Sequence, residues 1–365
     1  MTKIISEIIN LDDFRNQIGV VPQEVFLFSD TIANNIKFGM GTDDVEHEQI
    51  ENAAKMMHVH HNIIRFKEKY ETLLKYAKDA NMNFVRVWGG GIYENEIFYE
   101  LCDELGLLIW QDFMFACASY PEHKEFMKNV EDEVEQNIER LQHHPSIALW
   151  CGNNENEWIW HQEMKTSYKE MPGYKIYHEV IPDILKAADP ERPYWPSSPF
   201  GSDDDPNAYS SGNRHEWGIW SKWIDYSEVK NDNSLFVTEF GFQGPANKKT
   251  FEKYLSKNKR YSQDPVFEFH NKQVEGPERV FKFLSGNLPI KTEWEDFIYL
   301  AQLNQALALK TCLERWRINW PVANGSIIWQ LNDCWPVARK ATKKPDTKIN
   351  AGMLKLDNWR RASMT

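Results

Sequence analysis

Five short apolar runs recur along the middle of the chain: FVRVW at 84–88, LLIW at 107–110, SIALW at 146–150, LFV at 235–237 and SIIW at 326–329. Charged stretches with apolar residues at helical spacing lie between the earlier ones. Residues 67–80 carry Tyr70, Leu73, Leu74 and Ala77 on one side, and 94–104 and 122–142 read as further helices. Strands that alternate with helices imply a parallel sheet, because parallel neighbours must be joined by a crossover. Strands covered on both faces are apolar along their length, as these are. The pattern predicts an α/β fold of the (β/α)8 TIM-barrel type. Each run also stops on glycine, an acid, an amide or tryptophan. In a barrel that C-terminal strand end is the active-site face.

A chain of 365 residues with 42% hydrophobic content can bury a sizeable core. Its net charge of −12 excludes the basic footprint of a nucleic-acid binder and gives no attraction to an anionic membrane. The N-terminus MTKIISEIINLDDF has no apolar signal-peptide core, and no run is long enough to span a bilayer, so a cytoplasmic protein is expected. Cys102, Cys117, Cys151, Cys312 and Cys334 show no C-x-x-C spacing and read as free thiols.

The strand ends carry the candidate chemistry. CGNNENEW follows the 146–150 run and holds Glu155 and Glu157, and Glu239 follows 235–237. Two glutamates at the ends of different strands suit glycoside hydrolysis, in which one carboxyl protonates the leaving oxygen while the other is ionised. Burial of two neighbouring carboxyls separates their pKa values. Aromatics make up 13% of the chain, and Trp88, Trp150, Trp195, Trp217 and Trp335 lie near strand ends, where they could stack on a sugar. His143 and His144 read as helix-end residues rather than ligands. The glycines at 89–91 read as a turn, since no G-x-x-x-x-G-K-[ST] pattern follows.

The stretches NMNFVRVWGGGIYENEIFYELCDELGLLIWQDFMFACASYP, HPSIALWCGNNENEW, LFVTEFGFQGP, DPVFEFHNK and IIWQLNDCWPVA resemble the catalytic barrel of family 2 glycoside hydrolases, and within it the β-mannosidase group. The resemblance covers about 65–338. It implies a retaining mechanism with Glu155 as acid/base and Glu239 as nucleophile. Asn154 would hold the sugar 2-hydroxyl. Trp88 and Trp335 would line the sugar pocket, Asp112 would bind sugar hydroxyls, and His215 and Trp217 would border the site. Glu157 becomes a supporting or loop residue. The implied substrate is a β-mannoside oligosaccharide or glycoconjugate, and no metal or organic cofactor is implied.

Residues 1–64 depart from this pattern. NLDDFRNQIGVVPQEVFLFSDTIANNIKFG and IENAAKMMHVHHNII resemble the Q-loop region of an ABC exporter nucleotide-binding domain, with Gln23 as the Q-loop glutamine. The phosphate loop that ATP hydrolysis needs is lacking. Only the 67–80 helix separates this segment from the second expected strand. The barrel is therefore expected to be incomplete, its first strand missing unless Ile18, Gly19, Val20 and Val21 replace it. Residues 339–365 are a basic tail matching neither family. Two rival readings stand beside the enzyme: an inactive truncated or chimeric fragment, and an ABC ATPase module.

Overall fold

The computed structural model describes residues 32–40, 45–57, 60–202, 204–271, 273–331 and 352–354. Gln23, Ile18–Val21 as a candidate strand, Cys334 and Trp335 lie outside them. The chain divides into two compact units, Met1–Ile64 and Arg65–Thr365. In the first, helices α1 (Ile32–Met40) and α2 (His47–Met56) are described, and α2 buries Ile50 and Ala54.

The second unit alternates strands and helices. After α3 (His60–Asp79) come β1 (Met82–Val87), α4 (Glu96–Leu105), β2 (Leu108–Asp112), α5 (Lys124–Leu141), β3 (Ile147–Cys151), α6 (Asn156–Met164), α7 (Ile181–Ala188) and β4 (Tyr194–Trp195). The second half holds β5 (Arg214–Glu216), β6 (Phe236–Phe240), α8 (Lys248–Tyr254), α9 (Pro265–His270), α10 (Gly276–Asn287), α11 (Trp294–Ile318), β7 (Gly325–Ile328) and β8 (Gly352–Leu354). One sheet orders the strands β4-β3-β2-β1-β8-β7-β6-β5. The pairs β1–β2, β2–β3, β3–β4, β5–β6 and β6–β7 are parallel. Between β4 and β5 the backbone makes one antiparallel bridge, Phe200 with Asn213.

The period-2 alternation of strand side chains sorts the layers. In β1, Val85 and Val87 join the outer core with the inner faces of the helices, among them Leu74, Phe98, Val134 and Ile138. Phe84 points the other way and packs with Trp110, Cys151 and Ile327 in a small inner cluster. Arg86 lies two residues on from Phe84, and Asp112 two on from Trp110, so both polar groups sit above this apolar floor. On the other side of the unit, α11 covers β6, with Trp316 edge-on to Phe240 at 4.6 Å and its indole N–H donating to Asp232 Oδ1 at 2.9 Å.

Helix ends follow local chemistry. Gly106 closes α4 at φ 64°, its N–H donating to the Asp103 carbonyl while the Leu107 N–H donates to that of Cys102. His123 caps α5 by accepting from the Phe126 N–H at 3.3 Å.

The expected gap beside β1 is occupied. The slot between β1 and β7 holds β8, from the tail expected to match nothing, and β8 runs antiparallel to both neighbours. Met353 pairs with Phe84 on one side and Ile327 on the other. A proline there cannot donate to either ladder. Met353→Pro should therefore lower the thermal unfolding midpoint by several degrees; an unchanged midpoint by circular dichroism would remove β8 from the sheet.

Candidate active site

The strand ends converge on a cavity of about 400 Å³ lined by Trp88, Glu155, Trp158, Trp217, Trp220, Ser221, Glu239, Gly241, Phe242, Gln243, Gln273, Trp329 and Gln330. Five of the thirteen are tryptophans, and Glu155 and Glu239 are the ionisable groups among them. Trp88 follows β1, and its indole folds back over the turn so closely that a Cβ at Gly90 would lie 2.0 Å from the ring. That contact is a physical reason for glycine in the WGGG stretch. Trp88 meets Trp329 edge-on at 4.9 Å.

Beneath the cavity lies Arg86, fully buried in β1. A guanidinium has five N–H donors, and here every one has a partner. Nε and Nη2 fork onto Asp112, with the shortest contact 2.7 Å. Nη2 also donates to Asn154 Oδ1 at 3.0 Å, and Nη1 to Glu239 Oε1 at 3.0 Å. Nη1 also lies 3.5 Å from His215 Nε2. Burial disfavours the charge on Arg86, but Asp112 and Glu239 outweigh it and raise its pKa above the ordinary value. The guanidinium therefore stays cationic.

His215, in β5, sits between the two glutamates. Its Nδ1 is 2.7 Å from Glu155 Oε1 and 3.4 Å from Glu239 Oε2, while Nε2 is 3.0 Å from Ser198 Oγ. Nε2 faces Arg86, which can only donate, so we assign the ring proton to Nδ1. Burial pushes the imidazole down to about 3, against the pull of Glu239, so the ring is neutral at pH 7.

The two carboxyls live in different surroundings. Glu155 follows β3 in a left-handed backbone conformation, φ 64°, at the N-terminus of α6. Burial raises it to about 7, partly offset by Arg86 and by the Cys117 thiol 3.7 Å away. Glu239, at the end of β6, is also raised, first by burial and then by Glu155. His215, Arg86 and the Trp217 indole, whose Nε1 donates to Oε2 at 3.2 Å, pull it back. An oxygen of Glu155, an oxygen of Glu239 and a ring nitrogen of His215 all lie within 4.8 Å of one another.

The remaining sequence expectations fall in other places. Asp112 does not line the cavity: it is fully buried and accepts from Arg86, the Gly89 N–H at 2.9 Å and Trp110 Nε1 at 2.8 Å. Asn154 is buried too, its Nδ2 facing Cys117 Sγ at 3.5 Å. Trp150 belongs to the core, stacked on Phe113 at 5.4 Å and donating to Asp189, because it points to the helix side of β3. Trp195 packs against Phe200 instead of the cavity. Glu157 is buried against His178 Nε2 at 2.7 Å. His144 is buried, with Asp103 at 2.6 Å on Nδ1 and Glu96 at 2.7 Å on Nε2. Cys102, Cys117, Cys151 and Cys312 are free thiols.

Sequence reasoning missed Arg86, whose only signal is a charge inside an apolar strand. It also missed Trp158, Trp220, Gln243 and Gln273, which come from loops and helix starts without a strand-end pattern, and it read Trp329 and Gln330 as the end of an apolar run without assigning them to the site.

No family model matches the chain. A β-mannosidase B from Thermothelomyces thermophilus is 34% identical, over 74% of this chain and 34% of its own length, and one from Aspergillus niger gives the same figures. The crystal structure of a β-D-mannosidase from Dictyoglomus thermophilum has 49% identity and a TM-score of 0.72, covering 74% of this chain and 33% of that one. An exo-chitosanase from Amycolatopsis orientalis, at 18% identity and TM-score 0.57, shares the fold over 74% of this chain and 32% of its own. The chain thus spans about a third of the length of the curated relatives it matches. These similarities lend no support to the exporter resemblance of residues 1–64. No helix among the described residues is long and apolar enough to cross a membrane.

The raised pKa of Glu155 links the site to stability. Between the ordinary value of 4.5 and about 7 the folded state holds a proton that the unfolded chain releases. Stability therefore falls as pH rises through that window, by up to about 3 kcal/mol. Glu155→Gln should be more stable than the parent at pH 8, with the gain fading towards pH 4.5. Urea unfolding at the two pH values reads the difference; an equal gain at both would contradict the assigned burial.

Proposed function

We propose that the chain acts as a retaining glycoside hydrolase of β-mannosidase type, releasing terminal β-linked mannose by a two-glutamate double displacement. The observation that carries this reading is one cavity holding Glu155 and Glu239 with oxygens within 4.8 Å. Retaining enzymes place their carboxyls about 5–5.5 Å apart, whereas inverting ones need roughly 6.5–9.5 Å to admit a water. The similarity of three quarters of the chain to β-mannosidases supports the choice of sugar.

Each glutamate has surroundings that suit one role. Glu155, raised to about 7, holds a proton near neutrality and can pass it to the departing glycosidic oxygen. Glu239 is gripped by Arg86 and Trp217, which favour its anion and aim it. Its carboxylate attacks the anomeric carbon and forms a glycosyl ester as the aglycone leaves. Glu155, now ionised, takes a proton from water, which attacks the same carbon and frees Glu239. His215 holds the inner oxygen of Glu155 through Nδ1–H and leaves the other oxygen to carry the exchanging proton.

The indole faces of Trp88 and Trp217 give the C–H face of the sugar an apolar wall. Asp112 and Asn154 act on the sugar indirectly, through the Arg86 they hold. Trp335 remains a proposed wall residue from the family resemblance.

Aryl β-mannoside is the test substrate. Hydrolysis should decline as pH rises through about 7, when Glu155 loses its proton. Glu239→Ala should lose roughly a thousandfold or more in kcat. The first sugar seen by NMR should be the β-anomer. Initial release of α-mannose, or full activity in Glu239→Ala, rejects the mechanism.

A further inference from the structure

Two loops, one running on from β5 and the other leading into α10, supply part of the cavity wall. One carries Trp217, Trp220 and Ser221, and the other carries Gln273. Their backbones are unusual: Trp220 has φ 79°, Trp223 φ 61° and Glu275 φ 55°. Bulky side chains seldom sit at positive φ unless surrounding groups impose it.

The group positioned to impose it is Arg279, in the first turn of α10 and buried. Its Nη1 donates to the carbonyls of both Trp220 and Ser221, each at 2.6 Å. Nε donates to the Val274 carbonyl at 3.4 Å and Nη2 to Glu275 Oε2 at 2.8 Å. The guanidinium lies 4.4 Å from the centre of the Trp223 ring. One planar fork therefore ties the 217–223 segment to the 273–275 segment and stacks on an indole, a combination that lysine's point charge cannot reproduce. Arg279 does not line the cavity and has no part in the proton transfers.

We propose that Arg279 is a positioning residue that fixes this wall of the cavity, and with it the Trp217 indole that donates to Glu239. The inference rests on the glycosidase reading for its kinetic consequence; the tie between the loops does not. Without the fork, the 217–223 backbone can relax out of its strained conformation. Substrate must then restore the wall when it binds, so the loss falls on KM before kcat.

The test compares Arg279→Lys and Arg279→Met in the full chain by hydrogen exchange and by kinetics on aryl β-mannoside. Arg279→Lys keeps the charge and the stem, so it serves if the methionine variant fails to fold. In either variant amide exchange should speed up by about tenfold within 217–224 and 273–275 and stay unchanged in β1 to β3. KM should rise by about tenfold with kcat within about threefold of the parent, and lysine should recover only part of the loss. Unchanged exchange at 217–224 overturns the proposal, as does an equal rise across the whole unit, which marks Arg279 as merely stabilising. Faster local exchange with unchanged KM overturns it too. A parent chain that turns over no β-glycoside counts against the glycosidase reading, and the exchange pattern still decides the role of Arg279.

Discussion

The buried guanidinium of Arg86 is the constraint on which the site is built. A charge at the centre of a sheet is tolerable only when paired and fully hydrogen-bonded. Arg86 meets that demand with partners from several elements: Asp112 from β2, Asn154 from the turn after β3, His215 from β5 and Glu239 from β6. Each partner must arrive at a particular register for the charge to be satisfied. The interaction that makes the buried cation possible therefore also sets the distance between the elements that carry the two glutamates. Asp112, bound to Arg86, Gly89 and Trp110, locks the guanidinium from below and leaves its upper edge for Glu239 and Asn154.

Much of the fold was legible because period and composition encode it. The runs at 84–88, 107–110, 146–150, 235–237 and 326–329 correspond to β1, β2, β3, β6 and β7, displaced by a few residues at most. Helices α3, α4 and α5 follow the apolar stripes read from 67–80, 94–104 and 122–142. β4 and β5 were not legible. They have two and three residues, and β5 is Arg-His-Glu, with no apolar signature because its side chains belong to buried polar networks. β8 was invisible for a different reason. A three-residue strand between two others is specified by the slot it enters, and the surrounding basic tail gives no local signal.

The same distinction runs through the site. Glu155 and Glu239 stand at strand ends, where a polar residue after an apolar run is conspicuous. Arg86 differs from its neighbours only by charge, and its importance comes from four partners distant in sequence. The tryptophans show how far residue type alone can mislead. Trp150 and Trp88 both close an apolar strand, yet Trp150 faces the helices and Trp88 faces the cavity. Alternation decides between them, and a one-residue difference in where a strand ends reverses the outcome.

Glu155 and Glu239 also show how one fold gives the same side chain two characters. Burial raises both. The difference lies in the donors that oppose it. Glu239 has a direct guanidinium contact and an indole N–H, both of which favour the anion. Glu155 has a neutral imidazole and a thiol, and Arg86 reaches it only through space. The carboxyl with weaker compensation keeps its proton to higher pH. The neutrality of His215 is essential to this division: an imidazolium at 2.7 Å would hold Glu155 ionised and erase the contrast. Its low pKa follows from burial and from the nearby guanidinium, against the pull of Glu239. Arg86 thus acts twice, by contact on Glu239 and by repulsion on His215. Glu155 and Glu239, proposed as acid and nucleophile, are distinguished by the charge that also holds their strands in register.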